Sequence, residues 1–139
     1  ERIVPIESLR TEKGLFEASH KRAERWRRIA REASQQSRRT RMPEIEPGVK
    51  FDRAIDRQAR FRCFLDEEEA PPILAALPQI RPADPSIALL LGPEGGWTEA
   101  ERVSARTAGW IPVSLGPLIL RAETAATAAL AILMNAWMV

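Results

Sequence analysis

Two glycine-containing stretches hold the residue types best suited to chemistry. Gly92-Pro93-Glu94-Gly95-Gly96 follows the apolar residues Leu90 and Leu91, and Gly116-Pro117 lies in a second stretch running from Leu115 through Leu118 and Leu120 to Arg121. Glycines let a backbone come close to a ligand and expose N–H groups to it. Each stretch sits where a strand pattern hands over to a helix pattern, the edge at which open α/β sheets bind ligands. Glu94 contributes a carboxylate and Arg121 a guanidinium. The first stretch is not Gly-x-Gly-x-x-Gly and has no Gly-Lys-Ser/Thr ending, which disfavours a nicotinamide or nucleoside-triphosphate site. Either stretch alone could be a tight turn. Their order and spacing in tandem say more.

Other reactive types are scarce. A single cysteine, Cys63, and a single histidine, His20, exclude a disulfide framework and a cysteine-rich zinc module, and disfavour a Ser–His–Asp hydrolase. Cys63 lies in the strand-like Phe61–Leu65 and reads as a small buried hydrophobe. His20 reads as a surface residue near a helix start. The acids from Asp66 to Glu69 point in different directions, so they read as a solvated turn rather than a metal cluster. No metal site is expected.

The chain of 139 residues (15.6 kDa) has the length and composition of one globular domain, and its net charge of +2 excludes bulk polybasic attraction to RNA or membrane. The charge is nevertheless uneven. Lys21 to Arg41 contains nine basic residues against Glu24 and Glu32, a local +7 that leaves −5 for the remainder. Within it Ala23, Trp26, Ile29, Ala30 and Ala33 follow helical spacing, and arginines fill the other faces. Arg27, Arg28, Arg31, Arg38, Arg39 and Arg41, with Gln36, are the candidate RNA contacts, since guanidinium groups suit bidentate phosphate binding. From charge alone, a solvated helix face is the alternative. Glu32, Gln36 and Arg39 at i, i+4, i+7 would form one polar cluster on that face.

The remaining pattern supplies the elements that must position these residues. Arg2 to Ile6 is strand-like, and Pro43 and Pro47-Gly48 close the basic helix. A short helix is expected over Val49 to Arg57 and at most another at Ile73 to Leu77 between prolines. Ile87 to Leu91 is predicted as a strand buried on both faces. Thr98 and Glu101 form a capping box for a helix ending at Gly109, and Trp110 to Leu115 is predicted as a strand restrained by Pro112. A final, nearly all-apolar helix over Glu123 to Met138 is too short to span a membrane and is expected to be buried between a sheet and another subunit. Alternating strands and helices give an α/β class with a mostly parallel sheet flanked by helices.

Leu91-Gly92-Pro93-Glu94-Gly95-Gly96, followed by Leu115 to Ala125 (Leu-Gly-Pro-Leu-Ile-Leu-Arg-Ala-Glu-Thr-Ala), resembles the RsmE family of 16S ribosomal RNA uridine-N3 methyltransferases, in the SPOUT or α/β-knot superfamily. Arg25-Trp26, Ile29, Glu32-Ala33, Gln36-Ser37, Arg39 and Pro43 resemble that family's basic helix. The resemblance covers nearly the whole chain.

It implies a trefoil knot, which nothing in composition would indicate. It also implies S-adenosyl-L-methionine bound among Leu90, Leu91, Gly92, Pro93, Gly95, Gly96, Leu115, Gly116, Leu118, Leu120 and Thr124, with Thr124 alternatively capping its helix. Arg121 would stabilise the uracil anion or pair with Glu123 or Glu94. Glu94 would favour the sulfonium, act as base, or tie its loop to the next helix; Arg39 would support the active site. The implied partners are 16S rRNA of the small ribosomal subunit and a second copy in a homodimer whose active site lies at the interface, and the expected location is the cytoplasm. Two departures stand out. Leu118 replaces a usual arginine, and residues 1–139 as a methyltransferase domain would lack its first strand and helix and an N-terminal RNA-binding β-barrel. Trp97 is expected to pack its loop.

Overall fold

A computed structural model describes residues 1–68 and 70–137; Glu69 of the acidic run and the expected helix end at Met138 lie outside the described residues. The chain divides into two units, residues 1–54 and the residues from Ile55 onward.

In the first unit, β1 (Arg2–Ile3) pairs in parallel with β3 (Glu44–Ile45), and β2 (Ile6–Glu7) with β4 (Val49–Lys50). The strand-like start is therefore split in two around Val4-Pro5. Between β2 and β3 runs α1 (Leu15–Gln36). Trp26 and Ala30 of the expected apolar stripe are half-buried, but Ile29 is 49% exposed and Ala33 is exposed too. The helix stops at Gln36 because Arg38 turns into the left-handed region (φ 53°) and the Arg39 N–H donates to Ser34 O at 2.9 Å. Arg39 thus lies past the helix end and does not share a helical face with Glu32 and Gln36, correcting the expected cluster. The short α2 (Phe51–Ile55) follows, narrower than the predicted Val49 to Arg57.

The second unit carries a three-stranded parallel sheet in the order β6-β5-β7, formed by β5 (Phe61–Leu65), β6 (Ile87–Leu90) and β7 (Ile111–Val113). Cys63 pairs with Leu89 on one side and Ile111 on the other, so β5 is central and Pro112 falls on an edge strand, where its missing N–H is tolerated. Among the described residues, the one mostly parallel sheet expected from sequence is instead three small parallel sheets, two of them two-stranded and in the first unit. As an edge strand, β6 is half-buried except at Leu90, and not covered throughout as its apolar run suggested.

α3 (Glu99–Thr107) starts at Thr98 with both capping-box contacts in place, and Gly109 (φ 87°) follows its end. α4 (Ala122–Asn135) packs Ala129, Ile132 and Leu133 against Cys63, Val113 and Ile73, the last in a 3-10 turn at Ile73–Ala76. Cys63 is fully buried, and desolvation pushes its thiol above the ordinary value. Leu130 and Met134 on α4 remain 56% and 60% exposed, so the sheet covers only one side of this apolar helix.

Candidate functional site

Parallel pairing makes β5, β6 and β7 end at the same edge of the sheet, and the chain leaves all three there. The three exits enclose a cavity of about 600 Å³. Its walls are Leu65 to Glu68 after β5, Leu91 to Glu94 with Gly96 after β6, and Ser114 to Ala122 with Ala125 after β7. A volume of that order suits a cofactor-sized molecule.

Trp97 fixes the first glycine loop. Its indole N–H donates to Leu65 O at 2.8 Å, and it is 3% exposed, so it packs the loop as expected. A Cβ on Gly92 would meet the Trp97 ring at 3.1 Å, which explains why that position lacks a side chain. The loop closes with the Gly96 N–H donating to Pro93 O at 2.9 Å. In the second loop Gly116 adopts φ 125°, which a side chain would strain, yet nothing lies within 4 Å of a Cβ there. Backbone conformation, not space, selects that glycine.

Leu118 and Ile119 are 76% and 75% exposed and Leu120 is 37% exposed, all three along the cavity wall. Large apolar groups held open on a concave wall are suited to packing a flat ring. Arg121 is the residue before the first turn of α4; its carbonyl accepts from Ala125 N at 2.8 Å, the residue lines the cavity, and its side chain makes no ion pair among the described residues. The alternative of a pair with Glu123 or Glu94 is not realised. Glu94 also lines the cavity.

Of the predicted cofactor positions, Leu91, Gly92, Pro93, Gly96, Leu115, Gly116, Leu118 and Leu120 line this cavity, whereas Leu90, Gly95 and Thr124 do not. Leu90 is 3% exposed because it faces the core. Thr124 lies in the first turn of α4, and neither it nor Arg121 supplies a side-chain cap, which overturns the capping expectation.

The acidic segment after β5 departs most from its expected role. Asp66 is buried, accepting two hydrogen bonds from Arg102 Nε at 2.9 and 3.1 Å. Glu68 and Glu99 add ion pairs to Arg102 at 3.2 and 3.9 Å. Burial pushes the Arg102 pKa down, but the hydrogen bond and charge of Asp66, with the charges of Glu68 and Glu99, outweigh it and leave it raised. Asp66 is thus an anchored part of the wall, which corrects the expected solvated turn at that residue, while Glu67 and Glu68 are exposed as expected. The position of Asp66 directly after a strand, at the ligand-binding edge, is the sequence signal that could have found it.

In the first unit, Arg28, Arg31, Gln36, Arg38 and Arg41 are exposed. Arg27 is half-buried, its guanidinium donating to Glu24 at 2.6 Å and to Ile45 O at 3.5 Å. Arg39 pairs with Glu1. Among the described residues, no group of three or more His, Cys, Asp or Glu could hold a metal ion, and no helix is long and apolar enough to cross a membrane.

The fold is of the mixed α/β class, with a glycine-walled cavity at the carboxyl edge of a parallel sheet, and the family described as RNA methyltransferase domain matches residues 1–134. The chain belongs to that family. Among its relatives, Ribosomal RNA small subunit methyltransferase E of Synechocystis sp. is 38% identical over 129 residues, covering 91% of this chain and 43% of that protein. The protein of the same name from Bacillus subtilis is 35% identical over 111 residues, covering 76% and 43%. The solved Ribosomal RNA small subunit methyltransferase E from Neisseria gonorrhoeae, bound to S-adenosyl methionine, superposes with a TM-score of 0.85 at 33% identity, covering 98% of this chain and 55% of that one. These relatives bear out the resemblance drawn from the two loops. The chain spans about half the length of the relatives it matches.

Proposed function

We propose that this chain is the methyltransferase domain of an S-adenosylmethionine-dependent enzyme that methylates uridine N3 in 16S ribosomal RNA. The observation that carries the proposal is the cavity lined by the two glycine loops, with open apolar side chains at Leu118 to Leu120 and, at Arg121, a cation without an ion pair among the described residues. These residues fit the cofactor: the leucines pack its adenine, and the loop backbone meets its polar edge. When bound, S-adenosylmethionine supplies a methyl group that is already electrophilic, so the chemistry asks for no metal.

The chain's own residues then have two tasks. Arg121 orients the uracil through its oxygens and stabilises the negative charge that N3 develops on losing its proton. Glu94, which also lines the cavity, is one carboxylate that would take that proton or favour the positive charge of the cofactor. The exposed arginines of α1 bind ribosomal RNA phosphates. The exposed apolar side of α4 supports a homodimer with the active site at its interface, because Leu130 and Met134 need a partner. A C-terminal trefoil knot and a cytoplasmic location belong to the same proposal.

Calorimetric titration with S-adenosylmethionine tests the cofactor site; saturable binding is expected, and absence of both heat and thermal protection would sink it. Mass spectrometry of small ribosomal subunits after reaction tests the target, and methyl at an atom other than uridine N3 would overturn that assignment. Leu118, bare at the cavity where the RsmE family usually has arginine, supports a second reading as a non-catalytic RNA-binding module. RNA binding that survives Gly96→Trp, in a parent without cofactor affinity, would favour it.

A further inference from the structure

The three described acids after β5 do not face the same way. Asp66 and Glu68 turn to Arg102, at 2.9 and 3.2 Å, and the Glu68 N–H donating to Asp66 Oδ1 at 3.3 Å fixes the turn between them. Glu67, between the two, makes no ion pair with Arg102. A Cβ built on Gly96 would stand 3.1 Å from its Oε2, so the carboxylate lies against the first glycine loop, and its residue lines the cavity. Glu67 has no ion pair or hydrogen bond among the described residues, whereas the charge of Asp66 is matched by Arg102 and, at 3.8 Å, by Arg106. The wall therefore presents an uncompensated negative charge whose backbone is clamped on both sides.

We propose that Glu67 is a specificity-determining residue that reads the positive charge of the cofactor, favouring the sulfonium over the neutral thioether. The inference rests on the cavity being the S-adenosylmethionine site. Methyl transfer breaks the bond from methyl carbon to sulfur and leaves its electron pair on sulfur, so the cofactor loses one positive charge while its adenosine and amino-acid parts are unchanged. A fixed carboxylate at the wall stabilises the charged form alone, which shifts the balance of occupancy toward fresh cofactor and eases release of the spent one.

The test is titration of the chain and of Glu67→Gln with S-adenosylmethionine and, separately, with S-adenosylhomocysteine. Glutamine keeps the shape and removes the charge at an exposed position, and matched thermal unfolding of the two proteins confirms an intact fold. The ratio of affinities, sulfonium over thioether, is expected to fall about fivefold in Glu67→Gln, the scale of one solvent-accessible charge pair. An unchanged ratio overturns the inference. It does so whether both affinities drop together, which would put Glu67 on a part the two ligands share, or neither drops. Failure of the parent chain to bind either compound would instead refute the cofactor site itself.

Discussion

Arg102 Nε donates to both carboxylate oxygens of Asp66, at 2.9 and 3.1 Å, and the two side chains are only 10% and 1% exposed. Asp66 ends β5's exit from the sheet and Arg102 lies on α3, so this pair ties the cavity wall to the helix behind it. Removing one partner of a buried pair leaves the other charged and desolvated, which costs more than the pair itself contributes. Arg102→Met should lower unfolding free energy by about 3 kcal/mol in urea titrations. A loss below half of that would mean Arg106 takes over the Asp66 carboxylate.

Gly116 holds φ 125° with open space where a side chain would stand. Gly116→Ala therefore meets no clash but strains the backbone, by about 1 kcal/mol or more. The second loop should relax away from the cavity, and S-adenosylmethionine affinity should fall in calorimetry while urea unfolding shows only that small loss. Unaltered affinity would show that the loop's conformation is not part of the site.

Arg121 lines the cavity and has no ion partner among the described residues. For Arg121→Ala, methyl transfer should drop by at least about 100-fold, the scale of one lost stabilising donor, with cofactor affinity kept within about twofold. Equal loss of binding and transfer would make its role structural.

Arg28 and Arg31 are exposed on α1, whereas Arg27 is engaged by Glu24 and Ile45. The double change Arg28→Ala with Arg31→Ala should reduce the slope of log affinity for RNA against log salt by about 1.4, two single-strand phosphate contacts. Arg27→Ala should change that slope least. If all three behaved alike, the tie to Ile45 would not hold in solution.

Burial raises the Cys63 thiol pKa above its ordinary 9.0. The folded state thus favours the neutral thiol. Its stability contribution is complete below the unfolded-state value and is lost as pH rises through the window between that value and the folded one. Urea unfolding of the parent should weaken as pH climbs above 9, and Cys63→Ala, although less stable throughout, should show a flatter decline. Parallel declines in the two proteins would assign the pH dependence to other groups.

Local pattern was enough to place most elements and both glycine loops. The capping box at Thr98 and Glu101, the strand at Phe61–Leu65 and the helix stop at Gly109 all follow from contacts within a few residues, which sequence spacing specifies directly. The helix end at Gln36 was missed because it depends on Arg38 taking a left-handed conformation that glycine more often signals. The division of the strands among three small sheets was missed as well, since hydrophobic runs announce strands and not their neighbours.

The sequence by itself determined the family, through two motifs whose glycines and flanking leucines are chemically specific, and it determined that basic charge is concentrated between Lys21 and Arg41. Only the tertiary structure decided what the acids after β5 do. Four consecutive carboxylates look alike in a sequence; a buried arginine 36 residues away takes Asp66 and leaves Glu67 to the cavity. Charge pairing in a folded protein is set by which side chains are desolvated together, and that is a property of three-dimensional proximity which no local spacing encodes.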